Sequence, residues 1–556
     1  MTKQGGVIAF VKGLYYDEFK WALVKSIGIF ALGIRIAQEC QGIELVPSQF
    51  KLKCFINMEK GVFVKTLIIS FALNCCLCDR ISPNFVYILT DDQDLMLNGL
   101  MSMKKSLSLI ADRGKFFLNA FVNTPLCCPS RSTILTGKFA HNLGVVNNSV
   151  SGNCNSEQWQ INHEPYSIAA LLQSHANYTT FYAGKYLNQY GSKFSGGTSH
   201  VPKGYDWWIG LKGNSKYYNY TLSVNGTAVK IHNLYLTDLL ANYSLSFLNQ
   251  KSVIDKPFFM MVAPPASHAP FIPPKRYINK FSSVGVVTNP SFNYTSNNKH
   301  WIVQMPPVSL PKNITILDNI QRRRLQTLLA VDDLVERVVL QLKKLKLFHK
   351  TYFIINSDNG YHIGQFGQPW DKRQPYEADT RVPLLISGPG VPKRILEPYP
   401  VSSVDIAPTI LHLAGIKTDQ IMDGNSFKKQ LFNKRNVVTL KYIFLEYWGE
   451  GEDKMAERGC PWKYDSNVTG CTISSWCKCQ DSRNNTYTCV IDFRGELRFK
   501  FCRFLDNQNF VEAYNLSSDP YELRNVYTYL DIDLIKFYHN ILNNFEHCVG
   551  KSCKAL

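Results

Sequence analysis

Long apolar runs are scarce in this sequence. The stretch Thr66-Leu-Ile-Ile-Ser-Phe-Ala-Leu falls well short of the roughly 20 apolar residues that a bilayer-spanning helix needs, so no stable membrane span is expected. Acidic residues are scarce too: 43 Asp and Glu stand against 61 Lys and Arg, a formal net charge of +18. Such a surface repels cationic partners and draws polyanions, whether sulfated glycans, nucleic acid or anionic membrane. Internal repeats and low-complexity linkers are missing, so the chain reads as packed domains. With 45% hydrophobic and 13% aromatic residues over 556 positions, it can bury a large core and is too long for one ordinary domain.

Lys60 and Lys65 precede that apolar run and the small Cys75, Cys76 and Cys78 follow it, which is the layout of a secretory signal peptide. Residues 58–79 are read as the signal, with Met58 its natural initiator, and residues 1–57 as an upstream extension or gene-model artefact; the alternative is a genuine N-terminal segment with an internal buried helix, since Trp21 to Ile34 is also apolar. Cysteine usage agrees. Cys40, Cys54, Cys75, Cys76 and Cys78 would leave with the leader, while Cys460, Cys471, Cys477, Cys479, Cys489 and Cys502 cluster in a loop-rich stretch, like the disulfide framework of an oxidising compartment. Zinc competes for Cys477-Lys-Cys479, but the two-residue spacer of zinc sites is missing. Asn-x-Ser/Thr acceptors at Asn147, Asn177, Asn219, Asn225, Asn242, Asn293, Asn313, Asn467, Asn484 and Asn515 each predict a surface loop of a secreted glycoprotein.

Asn84-Phe-Val-Tyr-Ile-Leu-Thr is a nearly continuous apolar run that ends in acids, the look of a buried parallel strand. The pattern returns at Thr351-Tyr-Phe-Ile-Ile-Asn and at Arg381-Val-Pro-Leu-Leu-Ile-Ser. Between them, residues 319–347 carry Leu325, Leu328, Leu329, Val335, Val338 and Leu342 at helical spacing, so strands alternate with helices as in an α/β sheet. The Arg322-Arg-Arg324 run on that helix reads as a solvated face. Residues 80–435 are expected to form this larger domain and 436–556 a smaller α+β domain with an antiparallel sheet.

Asp91-Asp92 follows the first strand and Asp358-Asn359 the later one, and in open α/β sheets ligands bind beyond the carboxyl ends of strands. Their oxygens suit a hard divalent cation, calcium ahead of magnesium if the cage is mostly protein. Alone, an Asp-Asp pair after a strand is more often a helix cap or turn. Cys127-Cys128-Pro129-Ser130-Arg131 is the sharper signal. Pro129 suits the first turn of a helix and Gly137 its end, which puts Cys127 at a helix N-terminus that favours anions. An ordinary thiol there would be an acidified nucleophile.

Cys-x-Pro-Ser-Arg with a trailing Leu-Thr-Gly resembles the signature of the sulfatase family. Asp91-Asp-Gln-Asp94, Ala183-Gly-Lys-Tyr-Leu-Asn188, Ser267-His-Ala-Pro-Phe271, Ser357-Asp-Asn-Gly-Tyr-His-Ile-Gly-Gln365, Asp371-Lys-Arg-Gln374 and Tyr514-Asn-Leu-Ser-Ser-Asp-Pro520 extend the likeness along most of residues 80–556. It implies an alkaline-phosphatase-like fold, a large mixed and mostly parallel sheet sandwiched by helices. It implies that Cys127 becomes formylglycine through a formylglycine-generating enzyme, and that one calcium ion per chain is held by Asp91, Asp92, the converted Cys127, Asp358 and Asn359. The aldehyde hydrate would attack the ester sulfur, its second hydroxyl later expelling sulfate. Arg131 would hold the hydrate, Lys185 and Lys372 the sulfate oxygens, and His268, helped or replaced by Lys372, would protonate the leaving alcohol. Many sulfatases carry a second histidine just after the lysine matched by Lys185; here Leu187 and Asn188 stand there. Asn188 and His362 are candidate substrate contacts, and His141 a weaker one that serves equally as a helix-end histidine.

Within the family the pattern is most similar to the N-acetylglucosamine-6-sulfatases, which act on heparan and keratan sulfate in the lysosome, with secretion the alternative location. Extracellular heparan endosulfatases compete, but they resemble Asp-His-Gly at the metal site and carry a long charged insertion; here Asp358-Asn-Gly stands and no such block occurs. A phosphatase or phosphodiesterase with paired metals needs more His and Asp ligands than this pattern offers. A silent binder of sulfated glycans is the non-enzymatic alternative. Sulfated glycosaminoglycan rather than nucleic acid is the expected partner, and the sequence leaves the number of subunits open.

Overall fold

Phe85 to Leu89 alternate between two cores. The strand that carries them, Asn84–Thr90 (β1), is buried along its whole length in the computed structural model. That structure describes residues 82–306, 308–417, 422–433, 442–450, 460, 468–470, 479–495 and 498–556; the signal and extension, Asn467, Cys471 and Cys477 lie outside them. Gly114–Phe117 (β2), Thr179–Lys185 (β3), Trp207–Leu211 (β4), Tyr220–Val224 (β5), Thr227–Ile231 (β6), Phe258–Ala263 (β7), Thr351–Ser357 (β8), Leu384–Ser387 (β9) and Ile395–Glu397 (β10) complete a ten-stranded sheet. Its order is β10-β2-β9-β8-β1-β7-β3-β4-β5-β6. The central run β8-β1-β7-β3-β4 is parallel throughout, which is the mixed, mostly parallel sheet expected. β9 departs from expectation: it runs antiparallel to both neighbours and starts only at Leu384, after Pro383, whose ring nitrogen has no proton for a ladder.

Helices Cys127–Thr136 (α1), Ile168–Ala176 (α2), Leu236–Leu248 (α3), Thr315–Lys344 (α4) and Ile406–Leu413 (α5) sandwich the sheet. α1, α2 and α5 pack on the face of Phe85, Tyr87 and Leu89; α3 and α4 pack on that of Val86 and Ile88. Period 2 in the strand thus meets period 3.6 in the helices, and burial of each large apolar side chain contributes about 1.5–3 kcal/mol. On α4 the buried stripe includes Leu325, Leu328, Val335, Val338 and Leu342. It also includes Arg324, which is only 2% exposed, so the reading of a solvated basic face fails there.

Tyr442–Trp448 (β11), Thr486–Asp492 (β12), Phe499–Phe504 (β13) and Val511–Asn515 (β14) form a second, wholly antiparallel sheet. Helix Ile532–Glu546 (α6) covers one face, Tyr538, Leu542 and Phe545 meeting Phe444, Val490 and Phe501. Disulfides join Cys128–Cys154, Cys460–Cys479, Cys489–Cys502 and Cys548–Cys553, so Cys479 is no zinc ligand. Cys127 is free. No helix of the described residues is long and apolar enough to cross a membrane.

Candidate active site

Four adjacent parallel strands deliver the polar groups. Asp91 and Asp92 follow β1, Lys185 ends β3, His268 comes shortly after β7, and Asp358 and Asn359 follow β8. Backbone bonds fasten these ends together: Ser267 N donates to Asp91 O at 2.6 Å, Asp91 N to Ala266 O at 2.8 Å and Asp358 N to Thr90 O at 3.2 Å. Asp92 has φ of 60°, a turn conformation that aspartate tolerates better than most side chains.

α1 supplies Cys127 from its first residue and Arg131 one turn on. Pro129 sits in the first turn, where no amide proton is needed. Gly137 ends the helix at φ of 66°, and a Cβ there would also come within 2.9 Å of Met422 Sδ. The helix N-cap, Leu126, has no side chain to cap with; instead Asn148 Oδ1 accepts from the Cys128 amide at 2.9 Å. Cys127 is fully buried, its Sγ 3.8 Å from Asp91 Oδ1. Burial pushes the thiol up, to about 12, against the pull of Lys185 and Lys372. The acidified thiol expected from the helix N-terminus is therefore not found: exclusion of water costs the thiolate more than the cations return.

The charges pair densely. Lys185 Nζ lies 2.7 Å from Asp91 Oδ2 and Lys372 Nζ 2.5 Å from Asp92 Oδ1. Arg131 Nε donates to Asp358 Oδ2 at 2.7 Å and Nη1 to Lys185 O at 2.7 Å. Its Nη2 has no hydrogen-bond partner and lies 3.6 Å from Asp91 Oδ1. Burial opposes ionisation of Asp91, yet Lys185, His268, Arg131 and Lys372 together hold it well below the usual carboxylate range. At Asp358 burial wins over Arg131 and pushes the carboxyl up to about 7. Burial also lowers His268, whose Nδ1 is 2.7 Å from Ala269 O and whose Nε2 is 3.8 Å from Asp92 Oδ2.

The site residues anticipated from sequence largely meet. Ligand atoms of Asp91, Asp92, Cys127 and His268 all lie within 4.8 Å of one another. Asp358 Oδ1 accepts from Asp92 N at 3.1 Å, and Asn359 Nδ2 donates to Asp92 Oδ1 at 2.7 Å. Asn359 Oδ1 is buried without a partner. A buried, unpaired acceptor among carboxylates fits a hard cation with oxygen ligands. His362 Nδ1 is held by Asp379 at 2.9 Å while Nε2 is buried and unpartnered, as is Asn188 Oδ1. His141 goes elsewhere: its ring bridges Glu446, at 3.0 Å, and Cys548 O, at 3.2 Å.

Two contributors escape the sequence reading. Ser215 Oγ donates to Asp91 Oδ2 at 2.7 Å, and nothing in its surroundings in the sequence marks it. Arg324 Nη2 donates to Asp92 O and Asp94 Oδ1, each at 2.7 Å; its place on the stripe of Leu317, Gln321 and Leu328 was a usable signal. Among the glycan acceptors, Asn177, Asn219, Asn225, Asn242, Asn293 and Asn313 are exposed and Asn484 and Asn515 half-buried. Asn147 is not on the surface. It is buried, its Oδ1 accepting from Ser149 N at 2.9 Å and Ser149 Oγ at 2.7 Å, which closes a local turn.

The sulfatase family model matches residues 83–416. N-acetylglucosamine-6-sulfatases of Capra hircus and Homo sapiens are 44% and 43% identical over 479 residues, which is 85% of this chain and 85% and 86% of theirs. An extracellular sulfatase homolog of Drosophila melanogaster is 41% identical over 364 residues, 64% of this chain and 32% of that one. A solved structure of a protein in complex with its substrate D-glucosamine-2-N,6-O-disulfate has a TM-score of 0.66 at 21% identity, covering 85% of this chain and 98% of that one. A phosphonate monoester hydrolase from Silicibacter pomeroyi has a TM-score of 0.60 at 17% identity, covering 84% and 96%. These two share the fold, and a fold alone names no reaction.

Proposed function

The chain belongs to the sulfatase family of sulfuric ester hydrolases, and on that premise we propose that it removes the 6-O-sulfate of N-acetylglucosamine residues in heparan and keratan sulfate. The observation that carries this reading is the position of Cys127: buried at a helix start, 3.8 Å from Asp91 Oδ1 and among two lysines and an arginine. Identity of 43–44% to N-acetylglucosamine-6-sulfatases over 85% of the chain supports the choice of sugar.

Asp91, Asp92, Asp358, Asn359 and the modified side chain at 127 would hold calcium, which supplies positive charge beside the reacting sulfur and eases ionisation of the nucleophile. Conversion of Cys127 to formylglycine supplies that nucleophile as an aldehyde hydrate. The protein's own groups do the rest. Lys185 and Lys372 direct ammonium protons at the sulfate oxygens, where charge builds as the ester bond breaks. Arg131, fixed by Asp358 and the Lys185 carbonyl, keeps Nη2 free to donate to residue 127. His268, on the loop after β7, gives its proton to the departing sugar oxygen. Because burial lowers its pKa, that acid form accumulates on the acidic side, which suits a lysosomal enzyme reached through the secretory pathway. Asn188 and His362 offer unpaired buried atoms for the sugar.

Purified protein incubated with defined sulfated mono- and oligosaccharides tests the reading. Release of sulfate from a terminal 6-O-sulfated glucosamine is expected. Cleavage confined to internal residues would favour endo action, and no release from any 6-O-sulfated glucosamine refutes the proposed substrate.

A further inference from the structure

We propose that Glu450 is a positioning residue for ester hydrolysis, holding the start of α1 and the Lys372 segment in register from the second sheet. It stands just beyond β11. Its Oε1 accepts from the Asn148 amide at 3.0 Å, and Asn148 Oδ1 in turn accepts from the Cys128 amide at 2.9 Å, one of the free N–H groups of a helix's first turn. Its Oε2 receives Arg373 Nε and Nη2, each at 2.9 Å, and Arg373 directly follows Lys372. One carboxylate therefore links, with a single residue between on each side, the helix that presents Cys127 and the loop that presents Lys372.

Arg373 needs such a hold. Its φ is 92°, a conformation that long side chains avoid and that persists only where neighbours enforce it. Tyr487 OH donates to its carbonyl at 3.0 Å, and its guanidinium is shared among Asp371, Glu450 and Asp481. Glu450 is itself fixed: its amide donates to Asp481 Oδ2 at 3.1 Å, an oxygen that Tyr447 OH also reaches at 2.8 Å. Glu450 acts through Asn148 and Arg373 and not on the reacting atoms. The inference rests on the reading of Cys127 and Lys372 given above.

Three variants separate the arms. Glu450→Gln keeps an acceptor for Asn148 and loses the charge that holds Arg373; Glu450→Ala loses both; Asn148→Ala cuts only the helix arm. The substrate is the terminal 6-O-sulfated glucosamine of the activity test above. Displacement of a reacting group by about 1 Å can cost about 100-fold, so kcat is expected to fall about 10-fold in Glu450→Gln and Asn148→Ala and about 100-fold in Glu450→Ala. KM, melting temperature and formylglycine content stay near wild type. Wild-type kcat in the Glu450 variants overturns the proposal, and so does a loss of rate that merely tracks loss of formylglycine or of folded protein. A wild-type enzyme that releases no sulfate from that sugar refutes the proposed substrate, and this inference with it.

Discussion

Arg131 Nε donates to Asp358 Oδ2 at 2.7 Å across 227 positions of sequence, with both side chains almost fully buried. The pair ties α1 to the end of β8. Removing one member of a buried pair leaves the other charge uncompensated, at a cost of about 3–5 kcal/mol. Arg131→Ala should therefore lower the melting temperature markedly and abolish turnover. Arg131→Lys should recover much of the stability but little activity, because one ammonium nitrogen lacks the planar spread with which three guanidinium nitrogens face Asp358, the Lys185 carbonyl and residue 127. Thermal denaturation and steady-state kinetics on the same preparations check both.

Lys185 and Lys372 each neutralise one aspartate at the site. Loss of one donor to a developing oxyanion costs about 100- to 1000-fold in kcat, and that range is expected for Lys185→Ala and Lys372→Ala separately. The double variant should fall short of the product of the two, since the lysines serve one anion. Kinetics of the three variants measure it.

Calcium should stabilise the folded chain, because a ligand that binds only the native state raises its stability by mass action. A thermal melt with added calcium should shift upward, with magnesium less, given its demand for a small octahedral shell. Chelator should reverse the shift. Asn359→Ala, which removes a buried acceptor without a partner, should weaken it.

β1 and β8 were legible because an uncharged run ending in acids has few other interpretations in an α/β chain. The long helix α4 was legible from its apolar spacing. The convergence of Lys185 and His268 on Asp91 and Asp92 was not, since no local pattern shows that β3 and β7 lie beside β1; the family resemblance supplied it. Arg324 and Cys127 show where charge and pKa arguments from sequence fail. A basic triplet looks solvated until one member falls on a buried stripe, and a helix N-terminus acidifies a thiol only where water can reach the thiolate. Asn147 fails for a related reason: an acceptor motif states chemistry, while a two-residue turn decides exposure.

His141 links α1's sequel to the C-terminal disulfide loop through Glu446 and Cys548 O. Burial opposes its protonation, but Glu446 and the Cys548 carbonyl raise its pKa above the ordinary histidine value. A group with a raised folded pKa contributes stability that is fully present below its unfolded value, about 6.5, and is lost as pH climbs through the folded value. The difference in melting temperature between wild type and His141→Gln should therefore be larger at acidic than at alkaline pH. A difference that is constant or grows with pH contradicts this assignment.

The state of residue 127 bears most directly on the account. Mass spectrometry of the peptide spanning Cys127, from protein made in a host that oxidises such cysteines, should find the aldehyde in place of the thiol, and the fraction converted should track specific activity across preparations. Full sulfatase activity from chains that all retain the thiol would contradict it.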